Sequence, residues 1–201
     1  MNARLRPEVV TIGALAGLAS GAALLVSILG RAPLSLAATF FLVPALVAFL
    51  ALTVTVRREQ QQLFLARLRV GALAGLLGTA AYDLLRGLSE AAGLATSATF
   101  QAIPAFGAGL TGRAPADPAS LAAGWAFHLC NGVGFAIAYT MVCAGRPWWW
   151  AVAYALLLEA MLVSLYPGWL AVPLSSEFVS VSVAGHLAYG VVLGALARRS
   201  R

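Results

Sequence analysis

The chain has 201 residues, of which 61% are hydrophobic and only 10% charged, and its mean hydropathy is +0.89. Soluble domains carry roughly a quarter charged residues, so this composition excludes an ordinary water-soluble fold and indicates a membrane protein. The net charge of +6 comes from thirteen arginines without a single lysine, placed at the ends of apolar runs; no basic-aromatic patch that would grip nucleic acid is present, so nucleic acid is excluded and the lipid bilayer is the expected partner.

Helices cross the hydrocarbon core with about 20 apolar residues, and six runs qualify. The first, 9–29, follows Arg4 and Arg6 but exceeds the roughly 7–15 apolar residues of a signal peptide, so it is read as a retained helix. Its glycine stripe, Gly13, Gly17 and Gly21, suits close packing within the chain or against a partner subunit. The second and third runs are 34–56 and 68–90. The next stretch, 95–112, is uncharged yet short, and Pro104 and three glycines weaken it as a helix. Making it a span would invert everything after it. A short interfacial or re-entrant helix between the third and fourth spans, started by Thr96 or Ser97 as cap, is expected, with a structured loop as the alternative. The remaining spans are 120–143, 148–166 and 177–197; Ser175, Ser176 and Glu177 read as the solvated cap of the last. The expected fold is therefore an all-α polytopic bundle of six transmembrane helices, one transmembrane domain over residues 1–201. Cys130 and Cys143 fall about 20 Å apart on one helix, which excludes a disulfide between them.

With the N-terminus cytoplasmic, Arg4, Arg6, Arg57, Arg58, Arg67, Arg69, Arg146, Arg198, Arg199 and Arg201 lie inside, and only Arg31, Arg86 and Arg113 outside. This positive-inside bias places both termini in the cytoplasm. Trp148–Trp150 and Tyr166–Trp169 then mark the two interfaces of the fifth span. Two repeats share an offset of 58 residues: GALAGLASGAA (13–23) with GALAGLLGTAA (71–81), and HLCNGV (128–133) with HLAYGV (186–191). ATFFLVPAL (38–46) resembles ATFQAIPAF (98–106), as a duplicated helix hairpin would, although a chain rich in Ala, Gly and Leu yields such matches cheaply.

Ionisable groups inside a span cost about 2.5–3.5 kcal/mol each near the bilayer centre, so each needs a partner, a cavity or a task. Four are present: Asp83, His128, Glu159 and His186. Each lies on the order of 10–12 Å below the expected outer surface, counted at 1.5 Å per residue. Residues four apart share a helix face, and three of the four sit in stripes of small residues: Gly71, Gly75, Thr79 and Asp83; Gly124, His128 and Gly132; Ser182, His186, Gly190 and Gly194. Small stripes are where membrane helices meet, so a shared pocket in the outer half of the bilayer is expected. Asn131, Tyr82, Tyr189 and Arg86 lie within a turn of the four and join the expected network, with Arg86 close enough to pair with Asp83. Interhelical hydrogen bonding without a pocket is the plainer alternative.

Such a pocket would bind, and in a transporter translocate, an ion or small solute. His128 and His186 together with Asp83 and Glu159 could instead hold a divalent metal, and the two histidines alone a haem from both sides, although no CxxCH, HExxH or paired-cysteine motif accompanies them. A membrane enzyme using a histidine as general base on a lipid-borne substrate and a structural subunit of a homo-oligomer or larger membrane complex are the other readings. The phrases YDLLRGL, FQAIPAFGAGLTG, HLCNG, RPWWW, LYPGW and GHLAYG, between Tyr82 and Gly194, resemble small multi-pass bacterial inner-membrane proteins with no assigned activity. That resemblance implies the fold and location and transfers no catalytic or binding residue.

Overall fold

The computed structural model describes residues 4–94, 100–170 and 175–199. Among these residues the chain is helical, without strands: α1 Pro7–Gly17, α2 Ala19–Gly30, α3 Leu34–Thr55, α4 Arg58–Ala91, α5 Ala102–Thr111, α6 Pro118–Cys143, α7 Trp149–Leu170 and α8 Ser176–Ala197. Five of them are long and apolar enough to cross a membrane, and α1 with α2 makes a sixth if the bent pair counts as one span. The chain is thus a helical bundle with the make-up of a multi-pass membrane protein. Its outward face carries large apolar residues such as Leu36, Phe40 and Val54, which suits contact with lipid.

Three spans differ from the sequence expectation. The first is two helices that meet at Leu18 with a 52° bend. The bend falls in the stretch Gly17 to Gly21, where glycine and serine weaken the helix, and Gly17 is held against the backbone of α6: a Cβ there would lie 2.7 Å from the Gly134 carbonyl oxygen. The third span, α4, begins at Arg58, ten residues earlier than expected, because Gln60 and Gln61 anchor this polar turn. The Gln60 side chain accepts from the Arg6 amide at 2.7 Å and donates to the Arg4 carbonyl at 3.0 Å, while that of Gln61 donates to the Thr53 carbonyl. The fifth span, α7, continues through Pro167 to Leu170. A proline so near a helix end removes a single backbone bond, and the aromatic rings of Tyr166 and Trp169 pack on Phe106 of α5 at 6.1 Å, holding the last turn.

Between α4 and α6 lies α5, ten residues and so about 15 Å long, half the thickness of the hydrocarbon core. It folds back on α6 so closely that a Cβ at Gly107 would collide with the Ser120 carbonyl and one at Gly124 with the Ile103 carbonyl. This is the short helix expected between the third and fourth spans; the proposed caps Thr96 and Ser97 lie outside the described residues. The N-cap of α6 is Asp117, whose carboxylate accepts from Ala119 at 2.8 Å, and that of α8 is Ser175, whose hydroxyl accepts from Phe178 at 3.1 Å.

The centre of the bundle is α6. Both copies of the GALAG phrase pack on it, Gly13 and Gly17 against Met141 and Gly134, Gly71 and Gly75 against Ile137 and Val133. Thus α1 and α4 approach α6 from two sides, each antiparallel to it. In turn α8 packs on α4 and α7, with Gly190 against Val152 and Gly194 against the Trp148 backbone. Arginine-bearing turns cluster at one end of the bundle: Arg4 and Arg6 meet the start of α4, Arg67 donates to the Met141 carbonyl at 2.6 Å, and Gly145 bonds Ala197 at 3.2 Å. That end is packed shut by Leu5, Val9, Leu52, Phe64, Ile137 and Met141, with Phe64 and Met141 fully buried.

Candidate functional site

Small residues bring α4 and α6 into backbone contact. A Cβ at Gly75 would lie 2.5 Å from the Val133 Cα, and one at Gly132 would collide with the Thr79 hydroxyl. Two turns along this seam, the approach lets Asp83 of α4 reach His128 of α6, whose Nε2 lies 3.0 and 3.2 Å from the two carboxylate oxygens. The other pair joins α7 to α8: His186 Nδ1 is 2.7 Å from Glu159 Oε2. The Ser182 hydroxyl donates to the same oxygen at 2.8 Å, and the Ser182 carbonyl lies 3.0 Å from His186 Nδ1. In both pairs the carboxylate stands on one transmembrane helix and the imidazole on the next.

The partners dictate the tautomers. His128 Nε2 faces a carboxylate and His186 Nδ1 faces a carboxylate and a carbonyl, all acceptors, so each of these nitrogens carries the proton and donates. A neutral imidazole then presents its other nitrogen, Nδ1 of His128 or Nε2 of His186, as a lone-pair acceptor.

The expected quartet is therefore two separate pairs. Tyr82 of α4 joins them: its ring contacts His186 edge-on at 4.9 Å and His128 at 5.9 Å. Arg86 does not pair with Asp83, which faces His128; its Nη1 donates to the Tyr82 hydroxyl at 2.7 Å, and its guanidinium sits 4.9 and 5.0 Å from the rings of Tyr82 and Phe100. Tyr189 also serves elsewhere, donating to the Gly132 carbonyl at 2.6 Å and fastening α8 to α6. Asn131 is buried beside His128, and its Oδ1 has no partner among the described residues.

A cavity of about 850 Å³ opens beside the pairs, lined by residues from all eight described helices. One wall is polar, made by Thr79, Tyr82, Arg86, His128, Asn131 and His186, and the rest is aliphatic and aromatic. Both histidines line it, whereas Asp83 and Glu159 stand behind them. Toward the α2–α3 turn it adjoins a second cavity of about 500 Å³ beside Arg31, the two sharing Ile28 and Leu165 as lining. Ser182 and Thr79 were legible as members of small stripes but not as functional groups; their spacing, one turn before His186 and Asp83, is the signal that marks them.

The residues do not gather as a metal centre. No group of three or more His, Cys, Asp and Glu side chains that could hold a metal ion occurs among the described residues, because each carboxylate is spent on an imidazole. The divalent site expected from two histidines and two carboxylates is thus not formed, and the geometry offers haem no separate support. Cys130 and Cys143 are both free thiols, in keeping with their separation.

Residues 65–201 match a family described only as of unknown function, DUF6789. The chain belongs to that family. The matched region contains α5 to α8 and all but the first turns of α4, so DUF6789 encloses both histidine–carboxylate pairs, while α1 to α3 lie outside it. Comparison with curated proteins and with solved structures gave no match.

Proposed function

We propose that this protein is a multi-pass protein of the bacterial inner membrane that binds a small solute in the intramembrane cavity and holds it through His128 and His186. The observation that carries the reading is that both imidazoles, each backed by a carboxylate, line one cavity. Each imidazole presents a nitrogen lone pair to the cavity and accepts a hydrogen bond from a donor that lies against it. A bare cation suits the site less, since Asp83 and Glu159, the groups that would neutralise it, stand behind the rings.

The clustering of nine described arginines at the packed end supports a cytoplasmic position for that end and both termini, by the positive-inside rule. The pairs and the cavity then lie toward the opposite face. Binding is better supported than carriage across the bilayer, because Phe64 and Met141 close the arginine-rich end and would have to part for a solute to pass.

The test is to extract the protein with its surrounding membrane in polymer nanodiscs and analyse the small molecules retained with it. One stoichiometric molecule is expected, its retention falling at least about tenfold, the equivalent of 1.4 kcal/mol, in both His128→Ala and His186→Ala. A preparation carrying none, or retention that ignores both substitutions, would remove the proposal.

A further inference from the structure

The cavity's shape and its polar wall say more about the occupant. Leu15 of α1 and Leu157 of α7 line it and yet are 64% and 58% exposed, so the cavity surfaces on the flank of the bundle. There α2 and α7 barely touch. In a bilayer this flank meets acyl chains, so the mouth admits molecules already dissolved in lipid.

Inside, three polar atoms on the polar wall lack a partner among the described residues: Arg86 Nε, Thr79 Oγ1 and Asn131 Oδ1. Their residues are 7%, 4% and 7% exposed. Buried polar atoms left unpaired cost free energy, and hydrocarbon offers no water to pair them. These atoms are enclosed by the protein, so an occupant meets the polar wall through its other groups, the Arg86 guanidinium and the open nitrogens of the two imidazoles. The guanidinium donates in every protonation state, whereas His128 Nδ1 and His186 Nε2 accept, so the complementary end carries both an acceptor oxygen and an O–H, as a carboxyl group does. Leu24, Leu158 and Leu162 are among the apolar lining, with no polar group to satisfy. The volume lies within the usual range for a bound small molecule.

We propose that the occupant is a lipid-borne amphiphile with an apolar body and a carboxyl group at its polar end, entering between α2 and α7 and setting that end against Arg86 and the two histidines. This rests on the binding reading above and names the class of ligand and its route. Tyr82, Asn131 and the imidazoles supply the remaining hydrogen-bonding groups, and the apolar body lies along α2 and α7.

A palmitate analogue carrying a diazirine in its chain is the probe, cross-linked by light to the protein in nanodiscs and located by mass spectrometry. Adducts are expected on cavity residues such as Leu24 and Leu158. Unlabelled palmitate should compete them away, and competition by a short-tailed isoprenoid quinone but not by palmitate would overturn the carboxyl head. Labelling should fall several-fold in Arg86→Gln and in Leu157→Trp, the latter blocking the mouth from an exposed position that leaves the fold intact. Adducts confined to outward residues such as Leu46 and Val54, adducts that neither competitor displaces, or labelling unchanged by both variants would overturn the proposal. A water-soluble molecule found as the stoichiometric occupant would also overturn it while leaving solute binding standing; cavity adducts with no retained native molecule would do the reverse.

Discussion

Glu159 is 4% exposed and its neighbour Ser182 2%, so the charge of this carboxylate is answered inside the protein or not at all. Its Oε2 receives both the Ser182 hydroxyl and His186, while Oε1 has no partner among the described residues. Removing one member of a buried pair leaves the other uncompensated, at a cost of about 3–5 kcal/mol, whereas replacing both by apolar groups of similar volume is often near neutral. His186→Ala is therefore expected to lower thermal stability in detergent far more than Glu159→Met with His186→Phe. Equal losses in the single and double variants would show that the pair is not the electrostatic unit described. Asp83 and His128, with side chains 22% and 17% exposed, are less enclosed than Glu159 and His186, so Asp83→Asn should cost less than Glu159→Gln by the same melting measurement. These are the residues whose chemistry the sequence disclosed most readily, since an imidazole or carboxylate within an apolar run is conspicuous. Which acid served which histidine was not legible, because that depends on how two helices are rotated against each other.

At the scale of the helix, glycine decides who touches whom. Gly107 and Gly124 let α5 lie on α6 with backbone against backbone, and a methyl group at either would strike a carbonyl oxygen. Overpacking of this kind costs about 1–3 kcal/mol. Gly107→Ala is expected to lower the melting temperature and expose α5 to limited proteolysis, whereas Gly87→Ala, with nothing within 4 Å of its Cβ, should be neutral or slightly stabilising through helix propensity. Similar responses from both variants would remove the claim that α5 depends on this seam. The periodic glycines announced close packing in the sequence, yet not its partners. Gly13 and Gly71 open matching phrases and were legible as a repeat, but only the assembled bundle shows both phrases packing on α6. The bend at Leu18 was invisible for the same reason: an apolar run of adequate length reads as one span whether or not a neighbouring backbone holds its middle.

For the whole molecule, the arginine-rich turns belong to α1, α3, α4, α6, α7 and α8 and gather at one end. If that end is cytoplasmic, green fluorescent protein fused after Arg201 should fluoresce and alkaline phosphatase there should be inactive, with the opposite result for phosphatase inserted after Arg113 in the α5–α6 turn. Matching activity at both positions would mean that an extra span has been missed, and exchanged results would mean that the bundle is oriented otherwise. The same arrangement places the cavity between the packed arginine end and the α2–α3 turn, so ligand access and membrane orientation are linked: turning the protein over would turn the polar wall toward the cytoplasm.

The sequence by itself determined that this chain is an all-helical membrane bundle, roughly where its long helices lie, and which four ionisable side chains need an explanation. Those properties follow from local hydropathy and from the cost of placing charge in hydrocarbon, both of which are carried residue by residue. Only the tertiary structure decided that the four side chains form two pairs, that Arg86 turns to Tyr82, and that a cavity opens on the flank between α2 and α7. Pairing and cavities arise from the relative rotation and spacing of helices far apart in the chain, and a periodic run of small residues permits several such arrangements without choosing among them.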